Sequence, residues 1–280
     1  MSEAKSFFIK LTKHGTGLIG LIIVLTIIAI SIIVALTGSL FLPYNPIEQN
    51  VGEPMEPPSL KHFFGTDKLG RDLFSRVIYA TPNDFFVSFS VIATALIIGL
   101  VIGTYSALKG GIVDEILMRI IEVFMAIPAL VLAMAVAVAL GAGVINMMYA
   151  LMFVWWPWYT RMARGETLRI VNSKYIEAAV GSGVSNFKIM LRHLIPNIFP
   201  TMLVFATIDF GQVILIYSGL SYLGLSVSPP WPDWGEMVNS YQNYLVYAPW
   251  LPLFPGMVIA TVVIGFGLLG DGIRDALELK

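Results

Sequence analysis

The sequence predicts an all-α polytopic membrane protein with six transmembrane helices. Hydrophobic residues make up 57% of the 280 positions and charged residues only 12%, and the mean hydropathy is +0.79. This composition is far from that of soluble domains. Apolar runs long enough to cross a hydrocarbon core of roughly 30 Å recur along the whole chain. Because lipid offers the backbone no hydrogen-bonding partners, these runs are predicted to be helices.

The six predicted spans lie near residues 16–41, 84–108, 117–141, 145–168, 197–222 and 251–271. The first span lacks a small-residue cleavage site and is too long for a signal peptide, so it is predicted to be retained. In the third, Pro128 removes one backbone hydrogen bond and predicts a kink that can serve as a hinge for gating. The chain divides into residues 1–83, which hold the N-terminal tail, the first span and an outer segment, and a transmembrane domain over 84–280.

The distribution of basic residues predicts the orientation. With the N-terminus inside, the inner segments carry thirteen of the seventeen Lys and Arg residues. The outer side keeps only Lys61, Lys68, Arg71 and Arg76. By the positive-inside rule both termini are predicted to be cytoplasmic.

Composition and motifs also exclude several functions. The net charge of −1 gives no indication of nucleic-acid binding, and the absence of cysteine removes disulfides and thiolate metal sites. No Gly-rich run matches the phosphate-binding pattern followed by Lys and Ser or Thr. We therefore predict no catalytic residue, no metal site and no cofactor in this chain.

An inner loop of about residues 169–196 is predicted to form a helix, a glycine turn and a second helix. Asn172 or Ser173 can cap the first helix with Glu177 as the capping partner, and Gly181 and Gly183 then break it. The second helix is indicated by apolar residues at helical spacing, which are Phe187, Met190, Leu191 and Leu194. Pro196 and Pro200 mark re-entry into the membrane. An ordinary positively charged loop remains the alternative.

Ionisable residues inside a membrane are costly and usually face a cavity or the bundle interior. Asp209, with Gln212 on the next turn, is the best single candidate for a residue of a translocation path, and pairing with another helix is its alternative. Glu122 lies one turn after Arg119 and is predicted to pair with it near the inner interface. In the outer segment, Asp67 or Asp72 can pair with Arg71, and as a surface ion pair this would be worth only about 0–1 kcal/mol.

The inner loop resembles a known motif. Glu177-Ala178-Ala179, three residues, Gly183, nine residues and then His193-Leu194-Ile195-Pro196 are similar to the EAA loop of permease subunits of ABC importers. His193 and Ile195 depart from the older consensus, which has Ile and Leu there. The resemblance implies a coupling helix that docks into the ATPase, with coupling residues Glu177, Ala178, Ala179, Gly183, Arg192, His193 and Pro196.

Further motifs, in order along the chain, resemble the second, shorter permease of the dipeptide, oligopeptide and nickel branch. They are Phe64–Asp72 with Ser75-Arg76, Leu191–Asn197, Leu220–Leu225 with Pro229-Pro230 and Trp234-Gly235, and Leu268–Gly272 with Arg274–Leu277. The resemblance implies the type I importer core and alternating access. Asp67, Arg71 and Asp72 are then expected at an outer gate or a receptor-docking surface, with simple loop structure as the alternative.

The same resemblance implies the partners. These are a homologous second permease, two cytoplasmic ABC ATPase subunits that bind ATP and Mg, an extracellular or periplasmic solute-binding protein, and membrane lipid. It places the chain in a bacterial inner or archaeal plasma membrane.

Substrate class is the least determined expectation. Peptide import is favoured, with oligosaccharides or nickel chelates as alternatives. Tyr217 stands where peptide-transporting relatives tend to carry Glu, and an aromatic hydroxyl on the path would suit a neutral sugar. A secondary transporter is less favoured because few ionisable residues lie in the spans, and a membrane assembly factor is the third option.

Overall fold

The computed structural model describes residues 10–11, 15–227 and 229–277. Within these ranges the regular structure is helical, with one isolated antiparallel bridge between Thr66 and Asp72. The predicted all-α class is therefore confirmed. Lys5, Lys13 and Lys280, which contribute to the predicted orientation, lie outside the described residues.

Ten α-helices follow one another within the described residues. They are α1 (Gly15–Thr37), α2 (Leu73–Lys109), α3 (Gly111–Met125), α4 (Ala129–Leu140), α5 (Val144–Ile170), α6 (Lys174–Gly181), α7 (Asn186–Ile189), α8 (Ile195–Tyr222), α9 (Trp234–Tyr241) and α10 (Trp250–Ala276). A π-helical segment, Met190–Leu194, joins α7 to α8, and a 3₁₀ turn, Gln242–Tyr244, follows α9.

The number of membrane-length helices is lower than the six that the sequence predicts. Among the described residues, four stretches are long and apolar enough to cross a membrane: α1, α2, the continuous helix Asn186–Tyr222, and α10. The bent pair α3–α4 makes a fifth if it counts as one span. Helix α5 has 27 residues but does not qualify, because the run Trp155–Tyr159 and the arginines after it lower its mean hydropathy.

Helix α2 begins at Leu73, eleven residues before the predicted start at residue 84. The Asp72 carboxylate caps it by accepting a hydrogen bond from the Ser75 N–H at 2.8 Å. Hydropathy overlooks these first turns because they contain Arg76 and Asp84, which are nevertheless buried. The predicted division between residues 83 and 84 therefore falls inside one helix. With 37 residues, α2 spans about 55 Å and extends well beyond a hydrocarbon core.

The third predicted span is broken rather than kinked. Helices α3 and α4 meet at an angle of 86°, and Pro128, with a non-helical ψ of 127°, stands at the N-cap of α4. A proline removes a backbone donor and disfavours helical geometry in the residue before it, so a helix ends there readily. The single span predicted over 117–141 is thus two helices that together begin at Gly111.

The centre of the fold is the close packing of α2 against α5. A Cβ atom added to Gly103 would collide with the Thr160 carbonyl oxygen and lie 2.8 Å from the Arg164 nitrogen, and one added to Gly99 would overlap Tyr159. Small residues at such a crossing let two backbones approach closely, which is a main source of helix association in lipid.

We predict that Gly103→Ala lowers the thermal stability of the purified complex. The added methyl group would meet backbone atoms of α5 that cannot rotate away, and such overpacking costs about 1–3 kcal/mol. Gly256→Ala in α10 is the matched control, because apart from its own stretch of helix no described atom lies within 4 Å of its added Cβ. The melting temperature in detergent, measured by tryptophan fluorescence, provides the comparison. Equal melting temperatures for the two variants would contradict the close packing.

Candidate functional site

Asp209 lies in α8 and is held by two side chains of α5. The Trp155 indole Nε1–H donates to Asp209 Oδ2 at 2.6 Å, and the Tyr159 hydroxyl donates to the same oxygen at 3.1 Å. These donors are one helical turn apart, so α5 presents both to one acceptor. Gln212 follows one turn later on α8. The structure therefore brings together an acidic group, an amide and aromatic rings, on two adjacent helices.

A cavity of about 400 Å³ opens beside this carboxylate. Its lining comes from α5, α8 and the first residue of α4: Ala129, Trp155, Trp158, Tyr159, Met162, Phe205, Ile208, Asp209, Gln212 and Ile216. We call this space the aromatic cavity. Of the residues predicted for the translocation path, Asp209 and Gln212 line it. Pro128 lines a neighbouring cavity of about 280 Å³ that also touches Ala129 and Trp158.

Tyr217 does not line the aromatic cavity. Its side chain is fully buried, and its hydroxyl donates to Asp233 Oδ2 at 2.8 Å while accepting from Asn83 Nδ2 at 3.0 Å. Asp84 of α2 lies next to Asp233 and accepts the Trp234 backbone N–H at 3.3 Å. Tyr217 thus ties α8 to α2 and to the start of α9. The argument for a sugar from this position has no support in the structure.

Asp67 is the centre of a buried cluster. Its Oδ2 accepts from Arg71 Nε at 2.6 Å and from the Tyr241 hydroxyl at 2.9 Å, and Arg76 Nε lies 3.9 Å away. Burial raises the pKa of the Tyr241 phenol, which keeps it a neutral donor. We call Asp67, Arg71, Arg76 and Tyr241 the outer clamp. The expectation of a surface ion pair is wrong, because Asp67 is 0% exposed and Arg71 only 7%.

Asp72 is equally buried and does not pair with Arg71. One carboxylate oxygen caps α2, and the other lies 2.9 Å from His62 Nδ1. All three residues expected at an outer gate are therefore inside the protein. The exposed surface of the outer segment is formed instead by residues such as Leu60 and Phe63.

The inner loop contains the predicted first helix, α6, but not the predicted capping box. Ser173 stands at the N-cap, yet its hydroxyl donates backwards to the Ile170 carbonyl at 2.6 Å. The Glu177 side chain is exposed and its carboxylate makes no hydrogen bond to any described residue, although its backbone N–H donates to the Ser173 carbonyl at 3.0 Å. Gly183 adopts a left-handed φ of +77° after the helix, whereas Gly181 is the last residue of α6. A single glycine therefore makes the turn.

The second helix of the loop is not separate from the membrane helix. Helix α7 continues through the π-helical segment into α8, and the Ile195 N–H bonds to the Met190 carbonyl five residues earlier. A proline ring clashes with the carbonyl four residues before it, so the wider turn accommodates Pro196. Pro196 therefore does not interrupt the helix. Arg192 and His193 lie inside the π-helical segment.

One face of the loop is packed and the other is open. Ile176, Ile189 and Leu194 are buried against Leu108 and Ile170, at the ends of α2 and α5. The open face exposes four large apolar side chains among polar ones such as Lys174, Glu177, Lys188 and Arg192. The apolar residues are Tyr175, Val180, Phe187 and Leu191. Exposed apolar patches of this kind mark interaction sites. We call this surface the inner docking face.

One ion pair was not anticipated from the sequence. Arg164 of α5 forms a bidentate ion pair with Asp114 of α3, in which Nε donates to Oδ1 at 2.5 Å and Nη2 donates to Oδ2 at 2.6 Å. The Ser106 hydroxyl of α2 donates to the same carboxylate. Arg164 lies in a predicted span, where an arginine needs a carboxylate to balance its charge, and Asp114 is one of the few carboxylates close to the spans. The Arg119–Glu122 pair was predicted and is present at 3.0 Å, on an exposed surface.

These features define a polytopic membrane protein with a partly exposed helical loop at one end of its bundle. Residues 76–280 match the family of binding-protein-dependent transport system inner membrane components, and residues 2–58 match the N-terminal transmembrane domain of oligopeptide transport permease C. The chain belongs to this family of ABC importer permeases. Its resemblance to the dipeptide, oligopeptide and nickel branch is confirmed.

Several named relatives align with this chain over most of its length and most of their own. The dipeptide transport system permease protein DppC of Alkalihalophilus pseudofirmus is 35% identical over 100% of this chain and 91% of its own. The nickel transport system permease protein NikC of Escherichia coli is 35% identical over 91% of this chain and 92% of its own length. The glutathione transport system permease protein GsiD of Escherichia coli is 40% identical over 80% of this chain and 74% of its own length.

We predict that Asp67→Asn strongly destabilises the protein. The change removes the carboxylate charge from the buried arginines of the outer clamp, and removing one partner of such a pair costs about 3–5 kcal/mol. Glu122→Gln is the control, since it breaks an exposed pair worth about 0–1 kcal/mol. Melting temperatures and the yield of monodisperse complex test this. A melting temperature for Asp67→Asn equal to that of the control would refute a stabilising role for the clamp.

Proposed function

We propose that this chain is one of two permease subunits that enclose the path of a peptide importer, and that its inner loop transmits ATP-driven motion to that path. The observation that supports this best is the inner docking face. Its apolar residues are exposed on helices whose opposite face is already packed against α2 and α5. Such a surface is stabilised when a second protein covers it.

The loop is connected to the path through continuous helix. The same stretch, Asn186–Tyr222, begins at the inner docking face and carries Asp209 into the aromatic cavity. A push on α7 therefore reaches Asp209 without crossing a flexible linker. Local π-helical turns are frequent at functional sites, and the one at Met190–Leu194 gives this lever a place to bend. We propose that alternating access uses this movement.

The six predicted spans remain part of the proposal, with α3–α4 as a bent third span and α5 as the fourth. Helix α5 is long enough, since 27 residues extend about 40 Å. Three of its polar side chains have partners on neighbouring helices, because Trp155 and Tyr159 bind Asp209 and Arg164 binds Asp114. Both termini and the coupling loop would then be cytoplasmic, with the outer segment and α9 on the opposite side.

A permease subunit of this kind would work with several partners. A homologous permease would cover the aromatic cavity, where Trp158 is half exposed. Two cytoplasmic ATPase subunits would bind ATP and Mg and receive Glu177, Ala178, Ala179, Gly183, Arg192, His193 and Pro196 as the coupling residues. A solute-binding protein would meet the outer segment, where the outer clamp and Asp72 hold the backbone in place rather than touch the receptor.

Peptides are the proposed substrate class, and nickel chelates are the alternative. The relatives described above are named for dipeptide, nickel and glutathione transport. An oligosaccharide substrate relied on Tyr217 facing the path, and that side chain is buried elsewhere.

We expect Phe187→Cys to crosslink to an ATPase subunit. The chain has no native cysteine, and Phe187 is 66% exposed on the inner docking face, so a short photoactivatable maleimide placed there would capture whatever covers it. Leu60→Cys, exposed in the outer segment, is the matched control and should capture the solute-binding protein or nothing. Labelling of Phe187→Cys by an impermeant reagent on intact cells would place the loop outside and overturn the assignment.

Coupling has its own test. We expect Glu177→Ala or Gly183→Asp to reduce receptor-stimulated ATP hydrolysis by at least about tenfold, which corresponds to a loss of about 1.4 kcal/mol at the docking contact. Gly183→Asp also places a side chain on a left-handed residue, which strains the turn. Glu166→Gln, at an ion pair on α5 outside the docking face, should leave hydrolysis unchanged. Normal hydrolysis and uptake in both loop variants would refute coupling through this loop.

A further inference from the structure

The two oxygens of Asp209 have different surroundings. Oδ2 accepts both hydrogen bonds from α5, from Trp155 and Tyr159. Oδ1 receives no hydrogen bond from any described residue, yet it is not sealed in the protein interior. Since Asp209 lines the aromatic cavity, this second oxygen is left for a group that enters it. The two donors fix the carboxylate in advance, which lowers the entropy cost of binding.

The charge of Asp209 is not balanced by any described residue. Neither of the first two arginines that follow Tyr159 on α5 forms an ion pair with Asp209: Arg164 pairs with Asp114, and exposed Arg161 directs Nη1 to the Met125 sulfur at 3.7 Å. Asp209 is also the one charged residue in the lining of the aromatic cavity. A carboxylate inside a membrane protein is costly unless a cation accompanies it. Within the described residues no cation accompanies Asp209, so a positively charged group that enters the cavity from outside would stabilise its ionised form.

The rest of the lining indicates what kind of cation fits. Trp155, Trp158, Tyr159 and Phe205 contribute aromatic rings, and Gln212 contributes one amide. Aromatic rings attract organic cations through their π faces. A transition-metal ion prefers several nitrogen or sulfur ligands, whereas this lining offers it one carboxylate. The cavity volume of about 400 Å³ is within the range of small-molecule sites, about 300–1,000 Å³.

We propose that Asp209 binds a positively charged organic group, an ammonium of the transported solute, as the solute passes through the aromatic cavity. This deepens the proposed function and rests on it. Oδ1 accepts from the ammonium, while Trp155 and Tyr159 position the carboxylate and the rings of the lining surround the cation. A solute with a free amine is thereby favoured over its neutral or acylated counterpart inside the membrane, in addition to any selection by the receptor.

The charge of the cavity can be measured without knowing the natural solute. Because the chain contains no cysteine, Gln212→Cys places a unique thiol in the lining, one turn from Asp209. In the assembled complex, we would measure its labelling rates with trimethylammonium-ethyl and sulfonatoethyl methanethiosulfonate, each divided by its rate with free cysteine. We expect at least about a tenfold preference for the cationic reagent, and its loss when Asp209→Asn is added. Adding Glu122→Gln instead should leave the preference unchanged.

The labelling result has two outcomes that overturn the proposal. A preference that survives Asp209→Asn means that another group sets the charge. No preference before that change and an anionic preference after it mean that a cation of the second permease already neutralises Asp209.

Uptake links the charge to the solute. With the full complex and its receptor in proteoliposomes, Asp209→Asn should lower trialanine uptake by at least about tenfold while receptor-stimulated ATP hydrolysis stays within about twofold. Equal uptake of trialanine and N-acetyl-trialanine by the wild type would overturn the ammonium assignment, as would uptake of maltotriose alone. A complex that imports none of these and shows no receptor-stimulated hydrolysis contradicts the proposed function, whereas the labelling rates still decide the charge of the cavity.

Discussion

The structure depends on one constraint: a charged group removed from water inside this bundle is costly unless a partner of opposite charge or hydrogen-bond donors accompany it. The cost of an unpaired charge in such surroundings is several kcal/mol, and three clusters meet it in different ways. The outer clamp surrounds Asp67 with two arginines and a tyrosine. Asp114 and Arg164 form a bidentate ion pair. Asp209 is satisfied on one oxygen only, which is why it differs from the structural pairs.

The two clusters of paired charges lie at opposite ends of the α2–α5 pair. The outer clamp fixes the segment that leads into α2, and the Asp114–Arg164 pair joins α3 and α5 with Ser106 at the last turns of α2. Between them, Gly99 and Gly103 hold α2 and α5 together. In the proposed transport cycle these helices stay together as a stationary unit. Helix α8 reaches that unit at Asp209 through hydrogen bonds from two neutral donors, which are weaker than a paired charge and can be exchanged more readily when the helix moves.

The sequence was sufficient for the helical class, the family and the position of the inner loop, because these depend on apolar runs and on motifs of fixed spacing. It was insufficient wherever a polar residue is buried. Arg76 and Asp84 made the start of α2 look like an outer loop, and the same reasoning treated Asp67 and Arg71 as a surface pair. Tyr217 was expected on the path because peptide-transporting relatives tend to carry Glu at that place, yet its hydroxyl binds Asp233, which lies sixteen residues later in the chain. Partner identity in three dimensions decides such residues, and spacing alone does not contain it.

The break at Pro128 gives the aromatic cavity a second adjustable wall. Ala129, the first residue of α4, lines the cavity, and α4 meets α3 at 86°. Helix α3 is held near its start by the Asp114–Arg164 pair, so a change of angle at Pro128 displaces α4 while α3 stays with the stationary unit. The cavity thus lies between α5, α8 and the first residue of α4. In the proposed transport cycle, a movement of α4 alone changes the width of the cavity at Ala129 while Trp155 and Tyr159 keep their hydrogen bonds to Asp209, whereas a movement of α8 relative to α5 exchanges those bonds.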